Sequence, residues 1–140
     1  MKARDIMTAN PEVVTPDEPV TRAARLMRDL DVGAIPVVED RSSMRLRGLI
    51  TDRDITVRHV AEGHGDECTV GHHMTADRIE TVRPDADVDE VLSLMARDQV
   101  RRVPVVEEGD RLVGIIAQAD VAKEAEPSKV AEVVERISEG

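Results

Sequence analysis

An internal repeat is the feature of this chain that most constrains its fold. Shifting the 140-residue sequence by 68 positions places the segment 14–39 on the segment 82–107, and Pro36-Val37-Val38-Glu39 recurs there letter for letter. A shift of 66 positions then places 46–54 on 112–120. The offset between the two copies changes from 68 to 66 inside a charged turn, where changes of length are tolerated. The chain therefore consists of two structurally equivalent copies of one unit.

Each copy predicts the same order of elements. A short strand leads into a helix, two β-branched strands follow around the charged turn, and a second helix begins near Thr51 or Ala117. The predicted strands are 13–14, 34–38 and 46–51 in the first copy, and 79–82, 103–106 and 112–117 in the second. The expected fold class is α/β (α+β), with two β-α-β-β-α repeats, each a small sheet on two helices, related by a pseudo-two-fold axis.

The helices of both copies carry an apolar stripe with the spacing i, i+3, i+4, i+7. In the second copy the stripe is formed by Val88, Val91, Leu92 and Met95. One copy is too small to cover such a stripe well, so we expect the halves to pack as a pair and the chain to form a homodimer. The predicted division is repeat 1 at 1–60, a linker at 61–68, repeat 2 at 69–124 and a C-terminal helix at 125–140.

Composition excludes several classes of partner. The net charge is −10, and the chain has no Phe, Tyr or Trp. Negative charge repels nucleic acid and anionic membranes, and a chain without aromatic rings cannot stack bases. No apolar run is long enough to span a bilayer, and the single cysteine agrees with a reducing compartment. We expect a cytoplasmic protein with no nucleic-acid or membrane partner.

At the level of motifs the chain resembles a tandem pair of cystathionine β-synthase (CBS) domains, the arrangement called a Bateman module. The first copy supplies Asp-Ile-Met-Thr at 5–8, Val-Gly-Ala-Ile-Pro-Val-Val at 32–38 and Gly-Leu-Ile-Thr-Asp-Arg-Asp-Ile at 48–55. The second supplies matching segments at 73–75, 100–106 and 114–121, so that the resemblance covers residues 3–124. It implies a dimeric regulatory module that binds AMP, ADP, ATP or a related adenosine compound in clefts between the copies.

The resemblance also assigns candidate residues in the first copy. The family's ribose motif falls on Gly48, Thr51 and Asp54, whose hydroxyl and carboxylate suit the two ribose hydroxyls. The same Thr-x-x-Asp spacing is a helix capping box, an alternative that spacing alone leaves open. The backbone at Ile35 before Pro36 would contact the adenine edge. The aliphatic walls around the base would come from Val13, Val14 and Ile35, although Ile-Pro-Val-Val is also an ordinary buried strand.

Phosphate groups require cations, and the resemblance points to the second copy for them. Arg101 and Arg102 precede Val103-Pro104, and the planar guanidinium group binds oxyanions in a bidentate manner. Arg53 is a further candidate. The alternative is that the arginines pair with Glu107 or Glu108 on the surface.

The second ribose motif departs from the family pattern. Asp120 is retained, but Ala117 replaces the Ser or Thr, which removes a hydroxyl and, we expect, any capping box at this helix. A second adenosine site of full strength is therefore not expected.

All four histidines and the single cysteine fall within 59–73, namely His59, His64, Cys68, His72 and His73. No standard pair of closely spaced metal ligands occurs among them, so the sequence predicts linker and a first helical turn here rather than a metal site. His72 and His73 take the places of Asp5 and Ile6 in the first copy.

No catalytic motif is recognisable, so we expect recognition rather than enzymatic chemistry, with an adenine nucleotide as regulatory ligand and no required cofactor. The occupancy would be passed to a downstream protein that the sequence does not identify. Two other classes stay open. One is a ligand-independent dimeric interaction protein with a degenerate site, and the other is a metal or thiol sensor built on Cys68 and its neighbouring histidines.

Overall fold

A computed structural model describes residues 1–65, 67–76, 79–124 and 137. Within these residues no helix is long and apolar enough to cross a membrane. The helices are α1 (Ala3–Ile6), α2 (Val20–Leu30), α3 (Asp52–Asp54, continued as a π-helix over Ile55–Val60), α4 (Val70–His73), α5 (Val88–Asp98) and α6 (Gln118–Glu124). The strands are β1 (Thr8–Ala9), β2 (Ala34–Val38), β3 (Leu46–Thr51), β4 (Arg102–Glu107) and β5 (Arg111–Ala117).

This mixture of helices and small sheets confirms the predicted fold class. The strands β2 and β3 have the predicted bounds, and β4 and β5 extend the predicted strands by one residue at one or both ends. The predicted short strands at 13–14 and 79–82 occur as single parallel bridges, Val14 to Val37 and Val82 to Val105. Strand β2 and the centre of β4 are buried throughout, which fits strands covered on two faces, whereas β3 and β5 alternate buried and more exposed residues.

The chain divides into two compact units, and each unit combines parts of both repeats. One unit contains Met1–Pro11 with Glu80–Gly140, and the other contains Glu12–Ile79. The cause is backbone pairing: β1 pairs with β5 in the first unit, whereas Thr75 forms a bridge with Leu49 in the second. The compact units do not follow the repeat boundaries, and the division at 1–60, 61–68 and 69–124 stays a prediction about the repeats. The predicted helix at 125–140 lies outside the described residues apart from Ile137, which is helical and buried.

Each unit has its own apolar core. In the unit 12–79 the core is formed by β2, β3 and α2, and in the other unit by β4, β5 and α5. The stripe of α5 belongs to the second of these cores, since Val88, Val91, Leu92 and Met95 are all buried within their own unit. These four side chains therefore do not support the predicted homodimer, because no apolar stripe is left uncovered on α5.

The two units also share local backbone details. Helix α2 is followed by Asp31 at a φ of 55°, and helix α5 by Gln99 at a φ of 54°. The Val14 amide donates to the Pro36 carbonyl at 3.1 Å, and the Val82 amide donates to the Pro104 carbonyl at the same distance. Each hairpin has a register shift after the equivalent valine, Val37 or Val105. The sequence repeat is thus a repeat of backbone geometry.

Candidate functional site

The predicted ribose residues lie at the start of α3 in the unit 12–79. Thr51 is the N-cap of this helix, and its hydroxyl accepts a hydrogen bond from the Asp54 amide at 3.0 Å. The Asp54 carboxylate accepts the Thr51 amide at 3.0 Å in return. This is a complete capping box, so the alternative raised by the Thr-x-x-Asp spacing is present in the structure.

Two further side chains contact the Asp54 carboxylate. The Thr75 hydroxyl donates to it, at 3.2 Å from Oδ1 and 3.3 Å from Oδ2, and the Arg58 Nε lies 3.8 Å from Oδ1. Thr75 is brought here by its bridge to Leu49, which also leaves no room for a side chain at Gly48: a Cβ there would collide with the Thr75 carbonyl oxygen. Asp54 is only 7% exposed, and its orientation is fixed on several sides.

The other candidates of the first repeat lie on β2 and the segment that pairs with it. Val13, Val14, Ile35 and Pro36 are all buried, and Val14 and Ile35 belong to the core of the unit. Arg53 is exposed, with its amide donating to the side chain of Asp52 at 2.8 Å. The ligand contacts assigned to these residues stay predictions.

In the second repeat the equivalent helix start keeps part of the capping box. The Asp120 carboxylate accepts the Ala117 amide at 2.9 Å, which matches the contact between Thr51 and Asp54. The reciprocal capping box is therefore absent, as expected from Ala117, but its carboxylate half persists. The carboxylate half needs only a backbone amide at position 117, and only the half that depended on a hydroxyl is lost.

The candidate phosphate ligands precede and begin β4. Arg101 is exposed and its carbonyl accepts the Gln118 amide at 2.8 Å, Arg102 is half-buried, and Val103 is fully buried. Neither guanidinium group forms an ion pair with another described residue, so the alternative pairing with Glu107 or Glu108 is not formed. Both positive charges are available for a ligand.

Four side chains with metal-binding atoms converge in the unit 12–79. Each of His59, His64, Cys68 and His73 offers one ligand atom, and these four atoms all lie within 4.8 Å of one another. The Nε2 of His73 is 3.4 Å from the Nδ1 of His59 and 3.4 Å from the Nδ1 of His64. His59 and His73 are buried, Cys68 is half-buried and His64 is exposed.

Burial and the neighbouring rings disfavour the protonated form of His73. Burial lowers the pKa of His73, and the neighbouring His59 and His64 lower it further because protonated imidazoles would repel one another. Neutral imidazole is the form that binds metal ions.

The sequence favoured a linker here and left a metal or thiol sensor only as an alternative, because the members of the cluster are spread over the end of the π-helix, the following loop and α4. One signal was available in the repeat. His73 takes the place of Ile6, which lies in the apolar core of the other unit, so an imidazole stands where the pattern expects a buried apolar side chain. His72, its neighbour, is exposed and is not part of the cluster.

Comparison with known proteins agrees with the repeat. The family model for the CBS domain matches residues 3–59 and again 70–126. Hypoxic response protein 1 of Mycobacterium tuberculosis is 39% identical over 135 residues, which covers 96% of this chain and 92% of that protein. The crystal structure of hypoxic response protein I with two coordinated zinc ions is 41% identical, with a TM-score of 0.79, and covers 90% of this chain and 100% of that one.

A more distant structure contains a nucleotide. The crystal structure of CBSX2 in complex with AMP is 26% identical to this chain, with a TM-score of 0.74, and covers 87% of this chain and 93% of that one. Two matched copies, similar relatives and the repeated backbone together show that this chain belongs to the CBS domain family, as a tandem CBS pair.

Proposed function

We propose that this CBS pair is a regulatory module that binds an adenine nucleotide of the AMP, ADP or ATP class. The observation that carries the proposal is the fixed Asp54 carboxylate at the start of α3, with Thr51 beside it. A carboxylate can accept hydrogen bonds from both hydroxyls of one ribose ring, and such charge-assisted bonds are about twice as strong as neutral ones. The module recognises the nucleotide without reacting with it, and the bound nucleotide is the regulatory signal.

The capping box uses only part of the Asp54 carboxylate, so the same group can also contact a ribose. An ionised carboxylate has about four acceptor positions. The Thr51 amide and the Thr75 hydroxyl supply two hydrogen atoms to them, and the two hydroxyls of a ribose would supply two more. Because the side chain is already held in one orientation, little conformational entropy is lost when the ligand binds.

The AMP in the CBSX2 structure supports an adenosine ligand for a fold of this kind. Arg101 and Arg102 are our candidates for the phosphate groups because their guanidinium groups are not paired with described acidic side chains. Arg102→Ala is expected to weaken AMP binding but leave adenosine binding unchanged. Equal losses for AMP and adenosine in calorimetry would remove Arg102 from the phosphate contacts.

The ribose assignment is tested with two matched substitutions, Asp54→Asn and Asp120→Asn. Each removes a charge but keeps an oxygen that accepts the backbone amide of residue 51 or 117, so the helix start is preserved. Hydrogen bonds to a charged group contribute about 1.5–3 kcal/mol. Asp54→Asn is therefore expected to lower the affinity for AMP about 10- to 100-fold, as measured by calorimetry on protein freed of bound nucleotide.

Asp120→Asn is expected to leave the tighter binding event unchanged. An Asp54→Asn protein that binds AMP as the parent does would contradict the ribose assignment. If the parent binds no adenosine compound and light scattering shows a dimer, a ligand-independent interaction protein becomes the better interpretation. The homodimer, the downstream partner and the cytoplasmic location stay predictions.

A further inference from the structure

We propose that His59, His64, Cys68 and His73 form a mononuclear tetrahedral site for Zn²⁺ or a chemically similar divalent transition metal ion. The site is separate from the nucleotide proposal, since none of its four ligand side chains belongs to the ribose motif. It is built from the side chains of one compact unit. A closed set of four protein ligands indicates a structural or regulatory metal and not a catalytic one.

The distances fit such a site. Zinc–nitrogen bonds of about 2.0–2.1 Å in a tetrahedral arrangement place two ligand nitrogens about 3.3–3.4 Å apart. The Nε2 of His73 has this separation from the Nδ1 of both His59 and His64, at 3.4 Å each. No pair among the four ligand atoms is more than 4.8 Å apart, and His64 and Cys68 are accessible enough for side-chain rotation to close the difference.

Hydrogen bonding explains this arrangement less well than a metal does. The Nε2 of a neutral imidazole carries either one hydrogen or one lone pair, yet that of His73 faces two ring nitrogens at once. The separation of 3.4 Å is also longer than the roughly 2.7–3.2 Å of an ordinary hydrogen bond. A cation between the rings would satisfy the three nitrogens with one lone pair from each.

The backbone holds the four ligands in place. After the π-helix, Gly63 adopts a φ of 69°. The amide of His64 donates to the carbonyl of His59 at 3.1 Å, so the loop folds back over the end of the helix. The Cys68 carbonyl accepts the Val20 amide at 3.1 Å. The start of α4 is fixed by the Val70 amide, which donates to the Glu18 carbonyl at 2.8 Å. Ligands on anchored segments give a preorganised site.

The ligand types select the metal class. Three imidazoles and one thiol suit zinc and its first-row neighbours, whereas Mg²⁺ and Ca²⁺ require oxygen ligands. The exposed His64 and half-buried Cys68 form the entrance, and the buried His59 and His73 form the inner wall. With one thiolate and three neutral imidazoles, the loaded site keeps a net charge of about +1.

Cobalt titration tests the site directly. The protein is stripped of metal and nucleotide, kept reduced with a phosphine, and titrated with Co²⁺. A tetrahedral cobalt site gives intense visible bands, and its thiolate gives a near-ultraviolet charge-transfer band that is easy to observe in a chain without Phe, Tyr or Trp. We expect one equivalent of Co²⁺ per chain with both features, displaced by one equivalent of Zn²⁺.

Three variants test the proposed ligands, and a fourth serves as the control. Loss of even an outer-shell partner lowers metal affinity roughly 10- to 100-fold, so His64→Ala and His73→Leu are each expected to lower it by more than about 100-fold. Cys68→Ser is expected to abolish the charge-transfer band. His72→Ala is the matched control, because His72 is exposed and adjacent to His73 but lies outside the cluster. It is expected to bind cobalt as the parent does.

The proposal is overturned if the parent gives no tetrahedral spectrum, or if His64→Ala keeps the affinity of the parent. It is also overturned if His72→Ala weakens binding as much as His64→Ala does. Since His64 is exposed, its substitution decides the question even if His73→Leu does not fold. The measurement needs no nucleotide, so its failure is distinct from failure of the ribose assignment.

Discussion

The first short helix of one unit and its counterpart in the other differ at one buried position. Helix α1 ends at Ile6 and helix α4 ends at His73, and both residues are followed by Met-Thr. Ile6 packs into an apolar core, whereas His73 lies against two other imidazoles. A buried polar side chain is costly without a partner, so His73 requires neighbours that Ile6 does not. The same backbone position thus carries an apolar core residue in one unit and a candidate metal ligand in the other.

The helix starts after β3 and β5 differ less. Both place a carboxylate on the backbone amide three residues before it, but only Thr51 adds a hydroxyl. Asp54 is also more deeply buried than Asp120. The comparison shows that the two copies share their backbone positions. Single side chains on this common backbone then give each copy different properties.

Exchanging the side chains at Ile6 and His73 is expected to give the largest change in stability. Ile6→His buries an imidazole without partners and removes apolar packing, so we expect the free energy of unfolding to fall by about 2–5 kcal/mol. His73→Ile, measured in the presence of a chelator, is expected to stay within about 1 kcal/mol of the parent. Urea unfolding followed by circular dichroism measures both. Equal losses would show that the two positions are not distinguished by their surroundings.

Metal saturation is expected to give the next largest effect. A ligand that binds only the folded state adds about 2.7 kcal/mol at about 100 times its Kd. We therefore expect Zn²⁺ at that excess to stabilise the parent and the His72→Ala control by this amount and His73→Ile hardly at all. A chelator should reverse the stabilisation. Equal stabilisation of all three proteins would indicate binding elsewhere on the acidic surface.

The cap hydroxyl is expected to give the smallest effect. Replacing an N-cap threonine by alanine costs roughly 0.5–2 kcal/mol, so Thr51→Ala should lower the free energy of unfolding by about 1 kcal/mol. Ala117→Thr should raise it by a similar amount, because the Asp120 half of the capping box is already formed. Urea unfolding of the two variants checks both signs. A loss on Ala117→Thr would mean that the second helix start cannot accept the hydroxyl.

Much of the fold followed from the sequence because the repeat, the apolar stripes and the β-branched runs all act locally. The bounds of β2 and β3 were predicted from such runs. The cluster around His73 was not, because it depends on a loop turned back at Gly63 and on the contact of Val70 with Glu18. The spacing of residues along the sequence does not reveal such tertiary contacts.

The pairing of β1 with β5, and of Thr75 with Leu49, has a consequence for the independence of each repeat. A polypeptide with a single repeat would lack the partner segment that completes its sheet, and it could obtain that segment only from another molecule. A single repeat would therefore complete its sheet only as two interlocked copies. With both repeats in one chain this pairing is intramolecular, and each copy carries its own side chain at the equivalent position, Ile6 in one and His73 in the other.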